Sequence, residues 1–168
     1  MRYGMLRFVF CFILIAAGFW QAELASAQTD KQLSVCDDPN ATDDQTISGC
    51  TAGIQSGRYS GGVLAIIFYN RGFAYDNKSE YDRAIQDYDQ AVKLNQNYAK
   101  AFSNRGLAYY NKGQYDRAIQ DYDQAIKLNP NDAKAFRNRG LAKAKKGDKA
   151  GAEVDLATAR RIDPNVDK

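Results

Sequence analysis

Apolar residues recur with helical spacing through the second half of the chain. In residues 115–128 they form one stripe, at Tyr115, Ala118, Ile119, Tyr122, Ala125 and Ile126, which is the spacing of one helix face. Residues 99–111 carry a similar stripe, and Lys112-Gly113 between the two favours a helix end, because glycine tolerates the left-handed conformation. Pro130 ends the second helix. A break this short makes the two helices antiparallel, so the pattern predicts a helical hairpin.

This hairpin pattern occurs three times. Residues 65–98 and 99–132 align without gaps and share 24 identities in 34 positions, and residues 133–166 share 16 identities with 99–132. A fixed period of this length is typical of a solenoid, in which each repeat packs only on its neighbours. We therefore predict an all-α solenoid with repeats at 65–98, 99–132 and 133–168.

The repeat resembles the tetratricopeptide repeat. That family's 34-residue signature carries an aromatic, a glycine, a tyrosine, an alanine, an aromatic, an alanine and a proline. The matching columns are Phe68, Phe102 and Phe136; Gly72, Gly106 and Gly140; Tyr75 and Tyr109; Ala84, Ala118 and Ala152; Tyr88 and Tyr122; Ala91, Ala125 and Ala159; and Pro130 and Pro164. The resemblance implies a right-handed superhelix of antiparallel hairpins whose concave surface binds peptides or helices. The third repeat departs from the signature, with Lys143 and Leu156 in two aromatic columns.

A degenerate half-repeat precedes the three repeats. Thr46-Ile47 and Cys50 repeat the pattern of Ala84-Ile85 and Tyr88, at an offset slightly longer than one repeat. We predict a lone second helix over 43–56. Within residues 28–64 it would form an N-terminal cap, since terminal repeats must shield the end of a solenoid.

Residues 1–27 have the pattern of a secretory signal peptide. Arg2 and Arg7 precede an apolar stretch at 8–20, and Ala25-Ser26-Ala27 supplies small residues for cleavage after Ala27. A retained anchor is the alternative, although the stretch is shorter than the ~20 residues that span a bilayer. The pattern predicts a periplasmic or secreted protein without membrane insertion after cleavage.

Cleavage would leave two cysteines, Cys36 and Cys50. An even number of cysteines in an exported chain suggests a disulfide. Two unpaired buried thiols are the alternative.

The composition argues against catalysis. The chain has 23 basic and 20 acidic residues, three cysteines and no histidine. It therefore has no Ser-His-Asp or Cys-His unit and too few cysteines for a four-cysteine zinc site. The net charge of +3 is small for a nucleic-acid binder. We expect a non-enzymatic protein without metal, cofactor or nucleic-acid partner.

An arginine occupies the same place in each repeat. In an antiparallel hairpin, Arg71 lies level with Asp87, and the same register pairs Arg105 with Asp121 and Arg139 with Asp155. A guanidinium fits a carboxylate bidentately. We predict a structural ion pair in each hairpin; the alternative is an arginine ladder that binds a ligand.

The opposite face of each first helix remains free for a partner. The ligand-binding candidates on it are Ile66, Tyr69, Asn70, Phe73, Lys100, Asn104, Tyr110, Lys134, Arg137 and Asn138. This face is apolar in the first repeat and basic in the third, and its asparagines can hold a peptide backbone. It predicts a protein or peptide ligand with an apolar anchor and an acidic group; a merely solvated surface is the alternative.

Some members of the family clamp the C-terminal carboxylate of cytosolic heat-shock chaperones with five residues. Asn104 and Lys134 match two of those places, whereas Tyr69, Phe73 and Asn138 do not match the others. The resemblance therefore implies an incomplete clamp, and an adaptor or assembly factor with another partner.

Two further functions stay open. The final hairpin exposes parts of Val154, Leu156 and Ile162, which would suit a self-associating structural protein and a homo-oligomer. The chain could also be an accessory subunit of an envelope complex.

Overall fold

A computed structural model describes residues 34–168, and the predicted signal peptide lies outside the described residues. Residues 34–36 form a helical turn. The helices that follow are α1 (Asp43–Gln55), α2 (Gly61–Asn77), α3 (Tyr81–Leu94), α4 (Ala99–Asn111), α5 (Tyr115–Leu128), α6 (Ala133–Lys146) and α7 (Lys149–Ile162). Residues 34–168 contain no strand.

Each helix packs on the helices before and after it in sequence, which is the contact pattern of a solenoid. The hairpins α2–α3, α4–α5 and α6–α7 are the three predicted repeats. The first helices α2, α4 and α6 also touch one another in order, whereas α3, α5 and α7 do not. The first helices therefore line the concave side, which we call the inner surface, and the second helices lie on the convex side.

The half-repeat forms the predicted helix. The structure ends α1 at Gln55 rather than at residue 56, and its start is fixed by a capping box between Thr42 and Gln45. Helix α2, the first helix of the first hairpin, begins at Gly61, ahead of the repeat boundary at residue 65 that the alignment predicts. Gly57 and Gly61 have positive φ angles, so the chain reverses within a short segment and the helix begins earlier.

The core consists of small residues with a few tyrosines between them. Tyr88 and Tyr122 are fully buried, and most of the other buried apolar residues are alanines. A Cβ placed on Gly106 would lie 3.0 Å from Cε1 of Tyr122, and one on Gly72 would lie equally close to Tyr88. Glycine in this column therefore allows the buried ring of one helix to pack on the backbone of the other.

The arginine of each hairpin binds the predicted aspartate with two hydrogen bonds. Arg105 donates from Nε and Nη2 to Asp121 over 2.8 and 2.6 Å. Arg71 binds Asp87 in the same way, as Arg139 binds Asp155. The antiparallel register inferred from the sequence is therefore the register of the structure.

A second carboxylate on the same arginines was not anticipated. Nη1 of Arg105 lies 2.6 Å from Oδ1 of Asp89, and Nη1 of Arg139 lies 2.7 Å from Oδ1 of Asp123. Both of these aspartates belong to the second helix of the preceding hairpin. Each of these two arginines thus closes its own hairpin and also joins it to the one before.

Candidate functional site

The predicted ligand residues all lie on the helices of the inner surface. Ile66, Phe73, Lys100 and Lys134 are exposed, and the other six are half-buried. The half-buried residues already have partners or neighbours within the fold, and these contacts decide which part of the surface remains accessible.

The N-terminal segment covers the first-repeat end of the inner surface. The side-chain amide of Asn70 donates to the backbone carbonyl of Cys36 over 3.1 Å, and Asn77 donates to Asp43 over 2.9 Å. Residues 36–43 and Phe73 line a cavity of about 350 Å³ between the segment and α2. The amide nitrogen of Asn70 is therefore engaged within the fold, and a ligand that accepts from it would compete with the chain's own backbone.

A disulfide between Cys36 and Cys50 holds this segment in place. Both cysteines are buried and pack on Ile67 of α2, with Ile54 and Tyr59 around them. Cys50 occupies the place that Tyr88 and Tyr122 fill in later repeats, so the disulfide closes the end of the solenoid where a full repeat is missing.

Tyr69 contributes to packing between repeats instead of standing free. Its ring centroid lies 5.9 Å from that of Tyr88 and 5.0 Å from that of Tyr98. Its hydroxyl accepts a hydrogen bond of 3.0 Å from Asn104, and burial raises the pKa of Tyr69. Replacing Tyr69 would therefore disturb the fold as well as the surface.

A pocket of about 200 Å³ lies between α4 and α6 on the inner surface. It is lined by Leu107, Tyr110, Tyr122, Arg137, Asn138 and Leu141. The hydroxyl of Tyr122 is buried and has no hydrogen-bond partner among the described residues. Sequence reasoning placed Tyr122 in the core and missed the pocket, although the recurring leucines at 107 and 141 were a signal for it.

The C-terminal turn partly neutralises the basic end of the surface. Arg137 donates from Nε to Asp167 over 3.1 Å, and Arg160 binds the other oxygen of the same carboxylate over 2.8 Å. Arg137 is thus a paired charge at the edge of the pocket, and not the free cation expected from the sequence. Lys100 and Lys134 stay exposed on the inner helices.

Asp76 is a half-buried carboxylate that the sequence did not single out. Its Oδ1 has no hydrogen-bond partner within residues 34–168, and burial raises its pKa from 3.8 to about 6. Between about pH 4 and pH 6, the folded protein holds this proton while the unfolded chain releases it. Because the folded state then binds more protons, this group lowers stability as the pH rises through that window.

Asp76→Asn is therefore expected to stabilise the protein at pH 7 by about 1 kcal/mol. A shift of two pKa units corresponds to about 3 kcal/mol, which we reduce because the group is half-exposed and screened by solvent. Urea unfolding of parent and variant should give equal free energies near pH 4 and a growing advantage for the variant up to pH 6. Parallel profiles across this range would show that Asp76 is not the group responsible.

Residues 34–168 were searched for metal-binding groups and for membrane-spanning helices. No group of three histidine, cysteine, aspartate or glutamate residues there is placed to hold a metal ion. No helix in this part of the chain is long and apolar enough to cross a membrane.

Three stacked hairpins with a continuous inner surface define an α-helical repeat protein. A family model described as "Tetratricopeptide repeat" matches residues 99–132, and one described as "TPR repeat" matches residues 77–113. No curated protein sequence gives a significant match.

Solved structures extend the similarity over most of the chain. MamA is 25% identical with a TM-score of 0.73, covering 86% of this chain and 76% of that one. The second TPR domain of human RPAP3, in complex with an HSP70 peptide, is 32% identical with a TM-score of 0.59, covering 60% and 84%. YrrB, at 24% identity and a TM-score of 0.66 over 73% and 61% of the two chains, shares the fold.

The chain is a tetratricopeptide repeat protein. The predicted all-α superhelix is confirmed by these structural neighbours. The family is generally a non-enzymatic protein-interaction fold.

Proposed function

We propose that this chain is a non-enzymatic adaptor or assembly factor that binds a peptide segment on the inner surface of its second and third repeats. The pocket between α4 and α6 carries this proposal. It offers Leu107, Tyr110 and Leu141 to an apolar side chain, and Asn138 at its edge can bond a peptide backbone. Residues 36–43 occupy part of the first-repeat end, where Ile66 and Phe73 of α2 remain exposed.

The exposed lysines of the inner surface select an acidic ligand. Lys100 and Lys134 lie in the first turns of α4 and α6, each about 10 Å along its helix from the pocket leucine of that helix, Leu107 or Leu141. Helix N-termini also favour negative charge. A bound peptide would therefore place an apolar anchor in the pocket and an acidic side chain or its C-terminal carboxylate near the lysines.

A peptide ligand has a precedent in the family. The second TPR domain of RPAP3, 32% identical to this chain, has been solved in complex with HSP70 and HSP90 peptides. Asn104, one of two residues matching the family's carboxylate clamp, donates its amide to Tyr69. This contact favours a partner other than the chaperones.

We further propose that the protein acts in the periplasm or outside the cell. The support comes from the signal-peptide pattern and the Cys36–Cys50 disulfide, since disulfides persist in oxidising compartments and are rare in the cytosol. Fractionation of cells that express the full chain should recover a shortened form that begins at Gln28 outside the cytoplasm. A full-length cytoplasmic form would contradict this location.

Selection of peptides tests the proposed ligand. A random peptide library would be panned on residues 28–168, and the enriched sequences are expected to combine an apolar residue with acidic ones. Leu141→Ala and Lys134→Glu should each weaken binding of an enriched peptide about tenfold, which corresponds to about 1.4 kcal/mol.

Matched controls lie outside the inner surface. Val154→Ala removes exposed apolar atoms from α7, and Lys127→Glu reverses a charge on α5. Calorimetric titration should give parental affinity for both controls. If the inner-surface variants bind as tightly as the controls do, the pocket is not the binding site.

A further inference from the structure

The arginine column is incomplete at one position, on the convex side of the molecule. Arg105 and Arg139 each bind two aspartates, one in their own hairpin and one in the hairpin before. Arg71 binds only one, Asp87, and its Nη1 donates instead to the hydroxyl of Thr51 over 3.0 Å. The first guanidinium of the series therefore has a neutral partner where the other two have a carboxylate.

The alignment of the half-repeat explains this difference. Helix α1 begins at Asp43, and α3 begins at Tyr81. When these two starts are aligned, Thr51 takes the place of Asp89, and Ser48 and Ala52 take the places of two glutamines. The residues that α1 presents here are thus shorter and carry no negative charge.

A cavity lies beside these shorter side chains. It has a volume of about 660 Å³ and lies between α1 and α3, which both pack on α2. Its polar lining includes Ser48, Thr51, Gln55 and Gln86 in addition to the guanidinium of Arg71.

A second guanidinium borders the same cavity. Arg83 lies 4.3 Å above the ring of Tyr75 and binds Glu80 over 2.7 Å, and its side chain is 61% exposed. The one carboxylate in the lining, Asp87, already accepts from Arg71 with both of its oxygens. Each guanidinium thus has one carboxylate partner, Asp87 for Arg71 and Glu80 for Arg83, and Nη1 of Arg71 bonds only the neutral hydroxyl of Thr51.

We propose that this cavity binds a carboxylate side chain from an acidic segment of a partner protein. The carboxylate would accept from Nη1 of Arg71, in the place that Asp89 and Asp123 occupy on the next two arginines. A guanidinium binds carboxylates more strongly than neutral oxygens, because the hydrogen bond is charge-assisted. This convex site is separate from the inner surface and does not depend on the function proposed for it.

One substitution would place a carboxylate of the chain itself beside Nη1 of Arg71. Thr51→Asp restores the aspartate that the later repeats carry, and Thr51→Asn is its neutral match. Gln120→Glu is a charge control, because it adds the same negative charge at an exposed position of α5, one repeat further along the convex side. Arg83→Gln removes the more exposed cation, whose loss leaves the Arg71–Asp87 pair intact.

The probe is a tetra-glutamate peptide, titrated into residues 28–168 at 150 mM salt and followed by amide chemical shifts. Shifts are expected around Thr51, Gln55 and Arg83. Affinity should fall at least tenfold for Thr51→Asp and about threefold for Arg83→Gln. It should stay within threefold of the parent for Thr51→Asn and Gln120→Glu.

Four outcomes would overturn the proposal. Tetra-glutamate could fail to shift these residues at millimolar concentration, or tetra-glutamine could bind equally well. Thr51→Asp could bind the peptide as tightly as the parent while its circular dichroism shows it folded. Free glutarate could match the peptide's affinity, which would point to a small dicarboxylate and against a partner segment. None of these results bears on peptide binding at the inner surface.

Discussion

Asp121→Ala is expected to lower the free energy of unfolding by about 3 kcal/mol or more. Asp121 is 6% exposed and accepts two hydrogen bonds from Arg105, whose side chain is 16% exposed. Removing the aspartate leaves a mostly buried guanidinium with only one carboxylate, Asp89. The mostly buried guanidinium then loses two of its three hydrogen bonds to carboxylates and keeps only the exposed partner, so the cost exceeds that of a lost surface contact.

Asp89→Ala is the matched control, since Asp89 binds the same guanidinium. Its side chain is 48% exposed, and exposed ion pairs contribute less than about 1 kcal/mol. Urea unfolding followed by circular dichroism should separate the two variants clearly. If the two variants lost the same free energy of unfolding, the contact of Arg105 with the preceding hairpin would matter as much as the contact within its own hairpin. That result would contradict the expectation from burial, since Asp121 is buried and Asp89 is exposed.

The double variant Cys36→Ala, Cys50→Ala is expected to lose about 3 kcal/mol, the chain-entropy value for a closed loop of about 15 residues. The loss should be local, because repeat stability comes mostly from nearest neighbours. Hydrogen exchange should speed up in α1 and at the start of α2 and stay close to parental in α5 and α6. The contact of Asn70 with Cys36 should also open, which would uncover the first-repeat end of the inner surface.

Reduction of the parent protein is the control for the cysteine substitutions. It breaks the same bond without changing side-chain volume at the fully buried position 50. Reduced parent and double variant should show the same pattern of exchange. Acceleration spread evenly from α1 to α7 would contradict a local role for the disulfide.

The repeats explain why so much of the fold could be predicted from the sequence. Three aligned copies show which residue types recur at each position of the repeat. The recurring arginine and aspartate, such as Arg71 and Asp87, lie level only in one antiparallel register, so the register of the hairpin could be predicted. The glycine column was also predictable from the three copies. Gly72 and Gly106 recur because the rings of Tyr88 and Tyr122, respectively, pack so close to them that a Cβ would not fit. Alignment of Cys50 with Tyr88 also placed α1 correctly, although few of its residues match the repeat.

The features that could not be predicted lie where the chain stops repeating. Residues 36–43 fold over the inner surface and Asp167 turns back to Arg137, and neither has a counterpart in another repeat. Asp76 stands where the next repeat has Tyr110, so the alignment gave no reason to expect a half-buried carboxylate with a raised pKa there. Periodicity determines which helix a residue belongs to, but not which non-repeating segment covers it.

The central claim is that the inner surface of the second and third repeats binds a peptide. Amide chemical-shift mapping with a library-selected peptide tests it most directly, because every helix from α1 to α7 reports at once. The largest shifts are expected at Leu107, Tyr110, Asn138 and Leu141, with smaller ones at Lys100 and Lys134. Shifts confined to α3, α5 and α7 would contradict the claim.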